Sequence, residues 1–98
     1  MRISPVLLEK IQKESPGILN NFGLVKSISG EVVQAYGKSE LGRMLPLMAQ
    51  LMLKDEMDKA SAEMQLGEIK KIQIDNQDYD LVKTNKGPAI IKRVILKK

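Results

Sequence analysis

The chain has 98 residues, 43% of them apolar and 29% charged, a balance typical of one globular domain. It contains no Cys, no His and no Trp, which excludes disulfides, thiol nucleophiles, histidine acid–base chemistry and zinc sites built on Cys or His. Only three aromatic residues are present to line a substrate pocket, so an enzyme is the least favoured class. The N-terminus lacks the apolar run of a secretory signal, and we expect one cytoplasmic domain over 1–98 without membrane insertion.

The net charge of +4 is concentrated in the last third of the chain. Residues 1–63 contain 8 basic and 8 acidic side chains, whereas residues 64–98 contain 8 basic and 4 acidic ones. This asymmetry indicates that a partner with a negative surface would contact the C-terminal third.

The first elements are a short helix and a hairpin. Ser4-Pro5 is a helix start, because Ser caps free amides and Pro is tolerated in the first turn. The apolar stripe that follows ends at Ser15-Pro16-Gly17. Two β-rich runs, 24–29 and 32–36, flank a break at Gly30-Glu31, which predicts a hairpin.

The strongest helical pattern extends from Leu41 to Met64, with apolar residues three and four positions apart. Pro46 interrupts it. The helix begins either at Glu40, with a bend caused by Pro46, or near Leu45, with Pro46 in the first turn. We expect it to end near Gly67.

The remainder predicts three strands, over 68–74, 79–84 and 89–96, with turns at 75–78 and 85–88. The last strand is apolar on both faces, which is typical of a central strand covered on both sides. The long helix would cover one face and the short first helix the other. The resulting order, α-β-β-α-β-β-β, predicts an α/β (α+β) domain, a five-stranded antiparallel sheet with helices packed on it.

This order and three segments resemble the roadblock family, named for a dynein light chain, within the profilin-like folds. The similar segments are the helix start Leu47-Met48-Ala49-Gln50-Leu51-Met52, the helix exit Leu66-Gly67-Glu68-Ile69-Lys70-Lys71-Ile72-Gln73-Ile74-Asp75, and the turn and strand Asn76-Gln77-Asp78-Tyr79-Asp80-Leu81-Val82. Many family members close with a third helix, which we do not expect here, because the sequence stops at Lys97-Lys98 after the last predicted strand.

The resemblance implies a non-enzymatic dimerisation and scaffold module, without a cofactor, that binds or regulates a small Ras-like GTPase or assembles a larger complex. It implies a homodimer or a roadblock-type heterodimer. In the family, the third strands pair across a two-fold axis and the second helices pack side by side. Matched onto this sequence, the interface comprises Met44, Met48, Met52, Ile69, Lys71, Ile72, Gln73 and Ile74.

Two interpretations of the long helix remain open. Five of the six Met residues lie between Met44 and Met64, where they either fill the core under the sheet or form an adaptable binding surface. The helix is apolar around much of its circumference from Leu41 to Leu53, which favours burial on two sides. A partner chain would also complete the cover of the last strand if the first helix is too short.

Other candidate sites are weaker. Asp75, Asp78 and Asp80 lack the further oxygen ligands of a calcium loop, so we interpret them as turn formers and expect no metal. The alternative function is a nucleic-acid or anionic-surface binding module. It would use the basic residues Lys83, Lys86, Lys92, Arg93, Lys97 and Lys98, although the single aromatic near them, Tyr79, offers little for stacking on nucleic-acid bases.

Overall fold

A computed structural model describes residues 5–41, 43, 47–74 and 76–93 of the chain. Within them lie three helices, α1 (Pro5–Lys13), α2 (Lys38–Leu41) and α3 (Leu47–Ser61). The five strands are β1 (Leu24–Lys26), β2 (Val32–Tyr36), β3 (Ile69–Ile74), β4 (Gln77–Thr84) and β5 (Gly87–Arg93). The predicted element order is therefore confirmed, with the short helix α2 added before α3.

The expected long helix differs from the observed helices at both ends. Its beginning is divided between α2 and α3, and Pro46 and Met44 lie outside the described residues. The prediction that it ends near Gly67 is wrong, because α3 ends at Ser61. The Ser61 hydroxyl donates to the Asp58 carbonyl oxygen at 3.3 Å, and the chain then turns so that Met64 enters the core, 5% exposed.

The sheet is antiparallel throughout, in the order β1-β2-β5-β4-β3. The strand β5 pairs with β2 on one side and β4 on the other, so the prediction of a central last strand is confirmed. The predicted turn at 85–88 is shorter, because Gly87 and Pro88 already pair with β4. The Thr84 hydroxyl holds this turn, donating to the Gly87 carbonyl oxygen at 2.6 Å and accepting from the Lys86 amide.

Both α1 and α3 pack on the same face of the sheet, which we call the helix face. Leu53 and Met57 of α3 pack in one cluster with Leu81 and Ile90, and Tyr36 packs against that cluster. Ile11 of α1 packs with Leu24 and Val32. Because Val32 and Tyr36 are four residues apart on β2, they point to one face. The expectation that the first helix covers the second face of the last strand is therefore wrong.

The second face of the sheet, which we call the inner face, is covered by the chain itself. Val25, Val33 and Val82 are fully buried on it, and Leu19 and Ile69 pack against them from opposite ends of the strand order. One hydrogen bond joins the segments beside those end strands, from the Ile28 amide, which follows β1, to the carbonyl oxygen of Gly67, which precedes β3, at 2.9 Å. The Gly67 amide donates in turn to the Lys83 carbonyl oxygen of β4 at 2.8 Å. The sheet therefore curls so that the segments beside its two end strands meet at Gly67, which removes the structural basis for expecting a partner chain on this face.

Candidate interaction surface

The largest group of exposed apolar side chains lies at the start of α3. Leu47, Met48, Leu51 and Met52 are 70%, 71%, 58% and 48% exposed, and we call them the α3 apolar patch. They recur at i, i+1, i+4 and i+5, so they share one side of the helix. Four neighbouring apolar side chains on a charge-free stretch of helix are typical of a binding surface, whereas single exposed ones are ordinary.

The patch is exposed because α3 has only one sheet to pack against. Leu53 and Met57 face the sheet and are 2% and 1% exposed. At 100° per residue, Met48 and Met52 point to the opposite side of the helix. The interpretation that Met fills the core is therefore correct for Met57 and Met64 and wrong for Met48 and Met52. Met44 lies outside the described residues.

Two shallow recesses flank the patch. One, of about 340 Å³, lies between α2 and α3 and has Leu41, Leu51 and Met57 among its lining residues. The other, of about 390 Å³, lies on the outer side of α3 and is lined by Leu51, Met52, Lys54, Asp55 and Asp58. An ion pair between Lys38 and Asp58 ties α2 to α3 beside them. These recesses suit single protruding side chains of a partner better than a whole small molecule.

The strand β3 is an edge of the sheet and pairs only with β4 among the described strands. Its exposed residues include Lys71 and Gln73, whereas Ile74 is buried. Ile69 and Ile72 are half-buried and pack on opposite faces, Ile69 against the inner-face cluster and Ile72 against the cluster under α3. Of the five residues predicted to form the strand interface, the structure thus places three in the protein's own packing.

The lysines of the last third do not share one face. Lys83 and Lys92 lie on the helix face, opposite Pro88 and Gln34 and so separated along β5, and Lys71 lies on the other face, opposite Asp80. Lys86 stands in the β4–β5 turn. The side chain of Arg93 and residues 97 and 98 lie outside the described part of the chain. The described lysines therefore form no single basic surface of the kind that a nucleic-acid backbone needs.

Other classes of site find little support in the described residues. Within 5–41, 47–74 and 76–93, no group of three or more acidic residues is placed to hold a metal ion. None of the described helices is long and apolar enough to cross a membrane. No protein-family model, curated protein or solved structure matches the chain.

The predicted interface included Met48 and Met52 of the patch but not Leu47 and Leu51. A signal for the whole patch was present, because residues 47–53 contain no charged side chain whereas residues 54–59 contain five. The curl of the sheet was missed altogether. The sequence signal that relates to the curl is the pair of glycines Gly17 and Gly67, whose backbones lie in close contact in the structure.

Proposed function

We propose that this chain is a non-enzymatic dimerisation and scaffold module whose α3 apolar patch contacts the same patch of a second copy. The observation that carries the proposal is the exposure of Leu47, Met48, Leu51 and Met52 on one helix side. The same helix supplies the side-by-side contact in the roadblock family, which the sequence resembles. In that family the pair presents a composite surface to a small GTPase, and we extend this role to the present chain.

The charge distribution supports a second copy as the occupant. A two-fold contact places one patch against an identical one, so like charges in its centre would repel. The patch contains none, and the first charges along the helix, Lys54 and Asp55, have opposite signs. Each copy therefore offers a cation and an anion to the rim of the contact.

The expected affinity follows from the area that remains exposed. Completing the burial of eight half-exposed side chains, four from each copy, contributes on the order of 10 kcal/mol. Association costs about 4–15 kcal/mol in lost freedom of motion. The patch is also smaller than the roughly 800 Å² that a standard interface buries on each partner. At most about 6 kcal/mol then remains, so we expect a dimer with a dissociation constant of tens of micromolar or above.

Light scattering across a concentration series tests this proposal. The mass is expected to rise from 11.0 kDa toward twice that value as the concentration increases. Met48→Lys should keep the chain monomeric, because it introduces a like charge in each copy at the centre of the contact. Val6→Lys is the matched control, because Val6 is 77% exposed on α1 and Met48 is 71% exposed on α3.

The outcomes distinguish a defined interface at the α3 apolar patch from non-specific association of exposed apolar side chains. A wild-type mass of 11.0 kDa at every concentration up to about 1 mM would show that the patch does not bind a second copy. Equal loss of association in Met48→Lys and Val6→Lys would show that apolar exposure acts without a defined interface. Neither substitution should alter the urea midpoint by much, because both side chains are exposed.

The GTPase role has its own test. Should the dimer stimulate hydrolysis by a GTPase, we expect it to position the GTPase's residues rather than insert an arginine. Arg43 and Arg93 are the arginines beyond Arg2, so two variants suffice. Stimulation that persists in both Arg43→Ala and Arg93→Ala agrees with positioning, and loss in either one identifies an arginine contribution.

A further inference from the structure

The edge of β3 is a second surface, separate from the α3 apolar patch, and its chemistry is different. Among the described residues, the hydrogen-bonded partner strand of β3 is β4, on one side only. An unpaired edge presents a row of amide and carbonyl groups that an extended segment can join. The opposite edge is less open, because Leu19 forms a bridge with Val25 of β1.

Two successive lysines dominate the charge of this edge. Lys70 and Lys71 are both exposed, and β3 contains no acidic residue. Because neighbouring residues of a strand point to opposite faces, the two ammonium groups lie above and below the edge. Lys71 has Asp80 opposite it on β4, whereas Lys70 has Leu81 opposite it. The edge is therefore basic on the helix face, at Lys70, whereas on the inner face Asp80 offsets the charge of Lys71.

These lysines favour a foreign strand over a second copy. Antiparallel self-pairing centred on Ile72 would set Lys71 opposite Gln73 of the copy and bring four lysines into one short interface. Pairing centred on Lys71 would set like charges directly opposite each other, which is destabilising. A strand with carboxylates at the corresponding positions would instead place opposite charges side by side. An apolar side chain would suit the position opposite Ile72, which is half-buried against the cluster under α3.

We propose that the β3 edge binds an extended, acidic segment of another protein, which adds to the sheet as a sixth strand beside β3. The segment has two successive acidic residues opposite Lys71 and Lys70 and an apolar residue opposite Ile72. Backbone hydrogen bonds supply a share of the affinity that is independent of sequence, and the two lysines select the partner. The proposal does not depend on self-association through α3.

The experiment uses two labelled peptides and the full chain. The probe is Val-Thr-Val-Glu-Glu-Val with blocked termini, and the comparison peptide has Lys-Lys in place of Glu-Glu. Fluorescence anisotropy at low salt should show at least tenfold tighter binding of the acidic peptide, and the difference should shrink in high salt. Amide chemical-shift changes should concentrate on Ile69–Ile74.

A pair of variants assigns the binding to the edge. Reversing both charges, with Lys70→Glu and Lys71→Glu together, should weaken binding of the acidic peptide about tenfold or more and strengthen binding of the Lys-Lys peptide. The exposed Lys86 in the β4–β5 turn is the matched control, and Lys86→Glu should change either affinity by less than about twofold. Unchanged far-UV circular dichroism confirms that the variants remain folded.

Three results would overturn the proposal. Equal affinity for the two peptides would remove the charge selection. If neither peptide bound at millimolar protein, the two lysines would serve only to prevent other strands from pairing with the β3 edge. Contacts between β3 strands of two copies in nuclear Overhauser spectra would make the occupant a second copy. Failure of any of these kinds leaves the Met48→Lys test of the α3 patch unaffected, so the two proposals fail separately.

Discussion

The closure of the sheet at Gly67 makes the sharpest stability prediction, because this residue lies where three parts of the chain meet. Gly67 has a φ of +83°, in the region that favours glycine. A Cβ added there would lie 2.8 Å from the Cβ of Pro16 and 3.1 Å from the Cγ2 of Ile28. The Gly67 carbonyl also accepts the hydrogen bond from Ile28 that joins the ends of the sheet, and the Gly67 amide donates to the Lys83 carbonyl of β4. Gly67→Ala should therefore open this closure.

Gly30 provides the matched comparison. It has a φ of +89°, and a Cβ added there would meet no atom within 4 Å. Gly30→Ala thus reports the backbone strain alone, about 1–2 kcal/mol, reduced by roughly 0.4–1 kcal/mol because Ala restricts the unfolded chain. Gly67→Ala has the same strain, a steric overlap worth about 1–3 kcal/mol and weakened hydrogen bonds. We expect it to destabilise the fold by about 2–3 kcal/mol more than Gly30→Ala does.

Urea unfolding monitored by circular dichroism measures the difference. With a slope of about 1–1.5 kcal/mol/M for a chain of this size, the midpoints of the two variants should differ by roughly 2 M. A Gly67→Ala variant that does not fold while Gly30→Ala folds normally agrees with the same reasoning. Midpoints within about 0.4 M of each other would refute the close approach at Gly67 and, with it, the closure of the sheet.

Two further predictions concern the core and one loop. Leu81→Ala should destabilise the fold by about 2–5 kcal/mol in urea, because Leu81 is fully buried, whereas Leu66→Ala should cost less than about 1 kcal/mol because Leu66 is 47% exposed; equal effects would contradict the assigned core. Asn20→Ala should cost about 1–3 kcal/mol in thermal unfolding, because the Asn20 side-chain oxygen accepts from the amides of Phe22 at 2.9 Å and Leu24 at 3.0 Å. Asn20→Asp, which retains this acceptor, should cost less than half as much, and an equal cost would show that those two hydrogen bonds are not what stabilises the loop.

The elements that the sequence predicted well are those decided by local pattern. The last strand, with Ile90 on one face and Ala89 and Ile91 on the other, was correctly predicted to be central, because only covered strands tolerate apolar residues on both faces. The hairpin around Gly30 follows from two β-rich runs and a turn residue. The five-stranded antiparallel sheet followed from these local signals together.

The errors concern how distant segments meet. The sequence around Ile11 does not determine the face of the sheet on which α1 packs, because the apolar stripe of α1 could pack on either face. The curl that buries Val25 and Val82 depends on contacts between residues 16–28, 66–69 and 83–85, which are far apart in the chain. The helical spacing of apolar residues also continues through Met64, which led to the wrong helix end. Met64 is buried, but it lies after the turn that follows α3 and not within the helix.

Because the inner face is covered by the chain itself, the last strand no longer supports the proposed interaction role. Two features of the sequence favoured a partner chain, an incompletely covered last strand and a helix that is apolar around much of its circumference. The structure removes the first, because Ala89 and Ile91 are covered within the chain. The proposed interaction role therefore depends on the α3 apolar patch and on the edge of β3.

We expect the two proposed contacts to respond differently to salt, so one series of measurements on the wild-type chain separates them. Contact through the patch buries apolar, uncharged side chains, so added salt should leave it unchanged or strengthen it slightly. Pairing at β3 with an acidic strand depends on Lys70 and Lys71, both exposed, so screening should weaken it steeply between about 0.05 and 0.5 M salt. If dimerisation weakened with salt as steeply as peptide binding, both contacts would involve the basic edge, and the patch would not be the dimer interface.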